Sequence, residues 1–314
     1  VPGSLLYKGS ERVIYYISLD NPHPSGGVKT QYRHVSILNK HGFKATMLHQ
    51  TRPFRADTWF ESDAPVSYIT EAEISPGDVL VWPEILASSI KPIHGVKQII
   101  FNQNIHYTWR SQPSQYPTCD GTMTLTPYEQ NFLKVMNPSE RVWVVEHGID
   151  PAIFHYREEP KDVISFMSRK HANEAQEVFG WLNHHGLLRQ FRVVDIQTSN
   201  EVETSQILQR SRYFFAFGYP EGGTLPPFEA MACGATVLGY GGFASDEYYR
   251  QIYGELGYKD FLVQSGNTCE FVIKAMNLLK NPPDIHPEIL SLRARMRFPL
   301  HLEEERLLKV FRGL

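Results

Sequence analysis

Cysteine is scarce in this chain: Cys119, Cys233 and Cys269 are odd in number and far apart, which makes neither a disulfide framework nor a paired zinc site. A reducing compartment follows, with the cytoplasm as the expected location. Basic charge is not in excess either. With 31 Lys and Arg against 34 Asp and Glu, the formal charge is -3, so no nucleic acid is expected as a partner. Long apolar runs are missing, and nothing approaches the roughly 20 residues that a membrane span needs. The opening VPGSLLYKGSER has too short an apolar core for a secretory signal. Asp-x-Asp, His-Glu-x-x-His and clustered cysteines are all absent, so no metal and no cofactor are expected. Internal repeats and low-complexity tracts are absent too.

What remains is a globular composition, 42% hydrophobic and 21% charged, in 314 residues. That length exceeds one comfortable core and suggests two domains. Short β-rich runs alternate with helical stretches throughout, which points to an α/β chain built on parallel sheets, because parallel strands need crossovers. RVIYYIS (12–18), FKATML (43–48), DVLVW (78–82), KQIIFNQ (97–103), MTLT (123–126) and VWVVE (142–146) are strand candidates. Several are apolar throughout, as strands covered on both faces should be. A polar stretch broken by Pro151 and Pro160 follows. Beyond it, VISFMS (163–168), FRVVDI (191–196), RYFFAFG (212–218), ATVLGY (235–240) and DFLVQS (260–265) form a second series. Domains over 1–150 and 151–290 are expected, with 291–314 as a helical segment returning to the first. Two doubly wound sheets facing each other would create a cleft lined by post-strand loops.

The densest signal is EGGTLPPFE at 221–229, where a glycine loop turns into a helix with prolines in its first turn. Glu229 falls near that helix's N-terminus, where the dipole favours a carboxylate by roughly 0.3–1 kcal/mol, and Glu221 falls on the preceding loop. Backbone amides of Gly222, Gly223, Thr224 and Leu225 could meet an anion, because glycines allow close approach. The two acids suit hydroxyls. A nucleoside diphosphate sugar satisfies both needs; the bland reading is a helix-stabilising Glu229 and a solvated Glu221.

The longer string PEGGTLPPFEAMACGATVLGYGG resembles the Glu-x7-Glu signature of retaining glycosyltransferases of family 4, which have the GT-B fold of two Rossmann-like domains. The resemblance implies that Glu229 holds ribose hydroxyls and Glu221 the transferred sugar, with the amides after Glu221 near the diphosphate. EGGT stands where the family commonly has Glu-Gly-Phe-Gly, so Thr224 replaces a glycine. Gly26 and Gly27 follow the first strand, where the family's glycine pair approaches donor phosphate and acceptor; alone they read as a turn. Arg169 and Lys170 stand adjacent where the family spaces an Arg and a Lys apart, and a cation there stabilises the departing diphosphate. His106 in FNQNIHYTWR, with Gln103 and Asn104 beside it, matches the family's histidine that reaches the donor sugar. Glu146-His147 departs from the family's domain junction, where hinge placement is the implied role.

The implied activity is retaining, metal-independent transfer of a hexosyl unit from a nucleoside diphosphate sugar to a glycan, lipid-linked or small-molecule acceptor. Peripheral membrane contact is compatible with such acceptors. A nucleotide-sugar epimerase or hydrolase and a non-catalytic sugar-nucleotide binding module are alternatives on the same fold. GYGGFA (239–244) also meets a loose dinucleotide fingerprint, with Asp260 near the distance of its acid partner, which keeps an NAD-dependent oxidoreductase as a further alternative.

Overall fold

The computed structural model describes residues 12–108, 118–197 and 200–314. The opening residues and Trp109-Arg110 of the FNQNIHYTWR stretch lie outside this range. The contacts divide the chain into two compact units. One comprises residues up to Asn102, Tyr107–Met123 and Met136–Trp143; the other comprises Gln103–His106, Thr124–Val135 and Val144–Leu314.

The first sheet has seven strands. Along the chain run β1 (Val13–Ile17), α1 (Gly26–Lys40), β2 (Lys44–His49), β3 (Val66–Tyr68), β4 (Val79–Pro83) and β5 (Lys97–Asn102). The short helix α2 (Ile105–Thr108), β6 (Gly121–Thr124), α3 (Pro127–Met136) and β7 (Val142–Val144) follow. The strand order is β3-β2-β1-β4-β5-β6-β7, and β1 pairs in parallel with both β2 and β4. Tyr15, Ile17, Leu48, Leu80 and Val96 form one of its apolar clusters. β3 has no counterpart among the sequence-derived strands: VSY is three residues long and half-buried, too short for a pattern to register.

The second unit continues with β8 (Val163–Phe166), α4 (Ala172–His184), β9 (Arg192–Asp195), α5 (Glu201–Arg210) and β10 (Ser211–Ala216). After these come α6 (Pro226–Ala232), β11 (Thr236–Tyr240), α7 (Asp246–Glu255), β12 (Leu262–Val263), α8 (Thr268–Lys280), α9 (Pro287–Arg297) and α10 (Leu300–Arg312). Its five strands are ordered β12-β11-β10-β8-β9, and every pairing is parallel. β8 and β11 are buried at every position, which is why they lack alternation. β9, one of the two edge strands, carries the exposed Arg192; a charge there discourages further pairing. An aromatic core holds the unit together. Phe217 stacks on Phe271 at 4.6 Å with the rings 8° from parallel, and Phe179 stacks on Phe215. Burial of each such ring contributes about 1.5–3 kcal/mol.

Local chemistry sets the helix ends. Asn200 accepts the Glu203 amide at 2.9 Å to start α5, and Asn267 accepts the Glu270 amide at 3.0 Å to start α8. Pro226 opens α6 and Pro287 opens α9, at positions where a missing N–H is harmless. Residues 146–149 pack within the second unit on the chain's last two helices. Gly148 donates to Glu303 at 2.6 Å and Ile149 to the Phe298 carbonyl at 2.8 Å.

Gly239 is where β11 meets β10. Its φ is +144°, and a β-carbon would lie 2.2 Å from the Ala216 carbonyl oxygen. Gly180, inside α4, has nothing within 4 Å of that position. Gly239→Ala is therefore expected to lose at least about 2 kcal/mol of stability, whereas Gly180→Ala gains about 0.5–1 kcal/mol. Urea unfolding of both variants checks the contrast.

Candidate active site

The second sheet reverses its winding between β8 and β10: the chain runs outward to β9 on one side and through β11 to β12 on the other. In an open parallel sheet this reversal leaves a crevice at the carboxyl ends of the two central strands. Two loops open onto it, residues 167–171 after β8 and 217–225 after β10. Their charges meet. Lys170 Nζ donates to Glu221 Oε1 at 2.6 Å, with side chains 28% and 25% exposed. A pair this exposed adds only about 0.2–1 kcal/mol to stability, so its significance lies in its place. Arg169 is exposed on the same loop.

The two loops are also joined by the residues next to that pair. The His171 ring stacks on Tyr219 at 4.0 Å, 5° from parallel, while its Nε2 donates to the Tyr219 carbonyl at 2.6 Å. Tyr219 in turn donates its hydroxyl to Glu174 at 2.7 Å. The backbone of the β10 loop is fixed as well. The Glu221 amide donates to the Gly242 carbonyl at 3.0 Å, and Asn104 Nδ2 donates to the Pro220 carbonyl at 3.1 Å.

Of the residues singled out in the sequence, Lys170, Glu221 and His106 come together. Burial holds the His106 imidazole below its usual value, and the charge of Glu221 opposes that shift. Its Nε2 is buried with no hydrogen-bond partner among the described residues. Glu229 occupies the first turn of α6, 7% exposed, behind Pro226 and Pro227. Gly26 and Gly27 open α1 in the first unit.

The glycines after Glu221 have a packing reason that sequence reading did not supply. A β-carbon on Gly222 would lie 2.0 Å from the Gln103 carbonyl oxygen and 2.2 Å from Glu129 Oε1; one on Gly223 would lie 2.9 Å from Leu125 Cδ1. Bare α-carbons are needed because protein already occupies both spaces. The Thr224 amide donates to Ser245 Oγ at 3.3 Å. The Thr224 hydroxyl is buried without a partner among the described residues, beside the side chain of Leu225, which is also buried. Both line a small pocket of about 20 Å³ with Thr126, His147 and Tyr248.

Glu129 was not anticipated. Its side chain is fully buried and accepts three donors: the Thr124 hydroxyl at 2.7 Å, the Leu125 amide at 3.1 Å and the Ile105 amide at 3.3 Å. The carboxylate thereby joins the turn that carries His106 to the strand end at Thr124 and to Gly222. A sequence signal existed in Thr126-Pro-Tyr-Glu129, a helix-start pattern, and Thr126 Oγ1 does accept the Glu129 amide at 3.2 Å. Glu146 is a second buried acid. It accepts the Tyr248 hydroxyl and Arg297 at 2.8 Å, and pairs with Arg306. Burial pushes its carboxyl up, but these partners outweigh that and hold it below the usual range. Among the described residues, no group of three or more His, Cys, Asp and Glu could hold a metal, and no helix is long and apolar enough to cross a membrane.

No family profile matches the chain. An α-1,6-glucosyltransferase of Actinobacillus pleuropneumoniae serotype 7 (strain AP76) is 23% identical over 312 residues, covering 93% of this chain and 92% of its own. Among solved structures, sucrose-phosphate synthase from Thermosynechococcus elongatus superposes with a TM-score of 0.71 at 11% identity, over 96% of this chain and 98% of that one. The pneumococcal O-GlcNAc transferase GtfA, solved with UDP and GlcNAc, gives a TM-score of 0.71 at 10% identity, over 97% and 99%. The architecture is GT-B, with two Rossmann-like units.

Burial raises the Glu129 carboxyl to about 7, against the pull of the Thr124 hydroxyl and the Leu125, Ile105 and Thr126 amides. The folded chain thus keeps a proton that the unfolded chain releases near 4.5. That contribution is complete below pH 4.5 and is lost as pH rises through about 7. Glu129→Gln cannot titrate. Its stability relative to the native chain should therefore improve by a few kcal/mol between pH 5 and pH 8 in urea unfolding; an unchanged difference would mean that Glu129 does not take up this proton.

Proposed function

We propose that the protein is a glycosyltransferase that moves a hexosyl unit from a nucleoside diphosphate sugar to an acceptor hydroxyl, with retention of anomeric configuration and without a metal. The observation that carries this reading is the Lys170–Glu221 pair at the reversal of the second sheet. GT-B architecture and the glucosyltransferase relative support the same class of reaction.

The chemistry follows from the charges. A diphosphate gains negative charge as the glycosidic bond breaks, and a cation beside it stabilises the transition state more than the ground state. Lys170 has three N–H donors, so it can hold Glu221 and still reach a phosphate oxygen; Arg169 supplies the second cation. Glu221 accepts hydroxyls of the transferred sugar, and Glu229 those of the ribose. His106 stands beside Glu221 at the sugar end. The leaving phosphate oxygen takes the acceptor proton on the same face, which gives retention without a protein nucleophile. With the Thr224 amide engaged by Ser245 and Gly222 packed on protein, the cationic loop rather than the glycine loop is the principal grip on the diphosphate.

Incubating the protein with uridine, guanosine, adenosine and thymidine diphosphate sugars, with and without acceptors, tests the reading; products distinguish transfer from hydrolysis or epimerisation. Lys170→Ala should reduce turnover by about 100-fold or more with a smaller change in donor KM. Glu229→Ala should act mainly on donor KM. Chelation should leave turnover intact. Equal and small effects of both substitutions, or a product of inverted configuration, would reject the assigned roles.

A further inference from the structure

Phe243 follows the second glycine of GYGGFA and has no role in the reaction as described so far. It is the non-glycine residue with positive φ among the described residues, at +78°. An L side chain disfavours that conformation by about 1–2 kcal/mol, so neighbouring structure must impose it. Several contacts do. Gly242 accepts the Glu221 amide through its carbonyl, and a β-carbon on Gly242 would lie 2.7 Å from that of Glu221. The turn around Phe243 is closed by the Ser245 amide, which donates to the Gly241 carbonyl at 3.2 Å. An isolated parallel bridge pairs residue 243 with Glu221 itself.

The strained backbone holds an aromatic ring in the open. Phe243 is 40% exposed, although neighbouring Gly242, Ala244 and Ser245 are buried. The ring sits 5.4 Å from His106 and 6.3 Å from Tyr219, edge-on to the latter. Its surroundings are thus an imidazole that feels the charge of Glu221, the Glu221 backbone itself, and the tyrosine bolted to the Lys170 loop. A hydrophobic ring gains nothing from exposure, and glycine would relieve the backbone. Strain and exposure together indicate that the ring is kept for something it touches.

Building on the glycosyl-transfer reading, we propose that Phe243 is a specificity-determining residue: its exposed ring is the platform on which the apolar C–H face of the donor's pyranose lies, while Glu221 accepts the hydroxyl edge. An aromatic face beside a few placed polar groups orients a small ligand, and a sugar ring has one face rich in C–H and an edge rich in O–H. The platform serves the sugar and not the nucleotide, which makes it separable from the diphosphate grip.

The decisive comparison measures, by calorimetric titration, the affinity of the native chain and Phe243→Gly for a nucleoside diphosphate and for the same nucleoside diphosphate carrying glucose. Glycine accepts the positive φ, so the variant should unfold at the same temperature or higher. The bare nucleotide should bind equally well, while the sugar-bearing one binds at least about tenfold more weakly. Phe243→Tyr should restore that difference, and Phe243→Leu should not. Equal losses for both ligands, or none for either, overturn the platform while leaving the transfer reading standing. A native chain that binds no nucleotide sugar overturns both.

Discussion

The reversal of strand order between β8 and β10 governs the second unit. Because the chain leaves β8 in one direction and β10 in the other, no crossover covers the carboxyl ends of these neighbours, and their loops are free to carry polar groups. Everything placed there needs support from below. The aromatic core supplies it: Phe215 and Phe217 come from β10 and the residue just beyond its end, and Phe271 of α8 packs against both. Sheet geometry brings the Lys170 and Glu221 loops together, and the His171–Tyr219 stack then limits how far they can drift.

The glycine loop is held by contacts of another kind. Gly222 lies so close to the Gln103 carbonyl and Glu129 that any side chain would displace backbone, which is costly because the obstacle cannot rotate away. Glu129 in turn satisfies three donors that would otherwise be buried and unpaired. Losing such a partner strands the groups it served, at roughly 1–3 kcal/mol each. Carboxylate and glycine are therefore one structural unit, and the position of His106 depends on both.

Sequence reading reached the architecture because its signals are local. The apolar runs VISFMS and ATVLGY contain the strands Val163–Phe166 and Thr236–Tyr240, and the prolines of EGGTLPPFE mark the helix start that the structure shows. The loop-to-helix transition that carries Glu221 and Glu229 was legible for the same reason, since it is written in nine consecutive residues. What was hidden depends on pairs far apart in the chain. Nothing near Gly222 announces that Gln103 will press against it. Glu129 looks like an ordinary first-turn acid until Thr124 and Ile105 close around it. The adjacent Arg169 and Lys170 could not be told apart from the sequence, because only a fold can show that Lys170 is the one that meets Glu221.

Charge placement also separates the readings that a motif alone left open. GYGGFA fits a dinucleotide fingerprint by spacing, but a pyrophosphate needs glycines with empty faces. A β-carbon on Gly241 would lie 2.3 Å from Asp246 Oδ1, and Gly242 packs on the Glu221 side chain. Both glycines are backed by acidic side chains. A phosphate charge about 4 Å from the Asp246 carboxylate would meet a repulsion of about 4 kcal/mol at an effective dielectric constant of about 20, and the Glu221 stem fills the space beside Gly242. The β8 loop offers the opposite sign in Arg169 and Lys170. Charge at the crevice thus runs from cationic on the β8 side to acidic on the β10 side, an ordering that suits the proposed glycosyl transfer better than hydride transfer from a dinucleotide seated on GYGGFA.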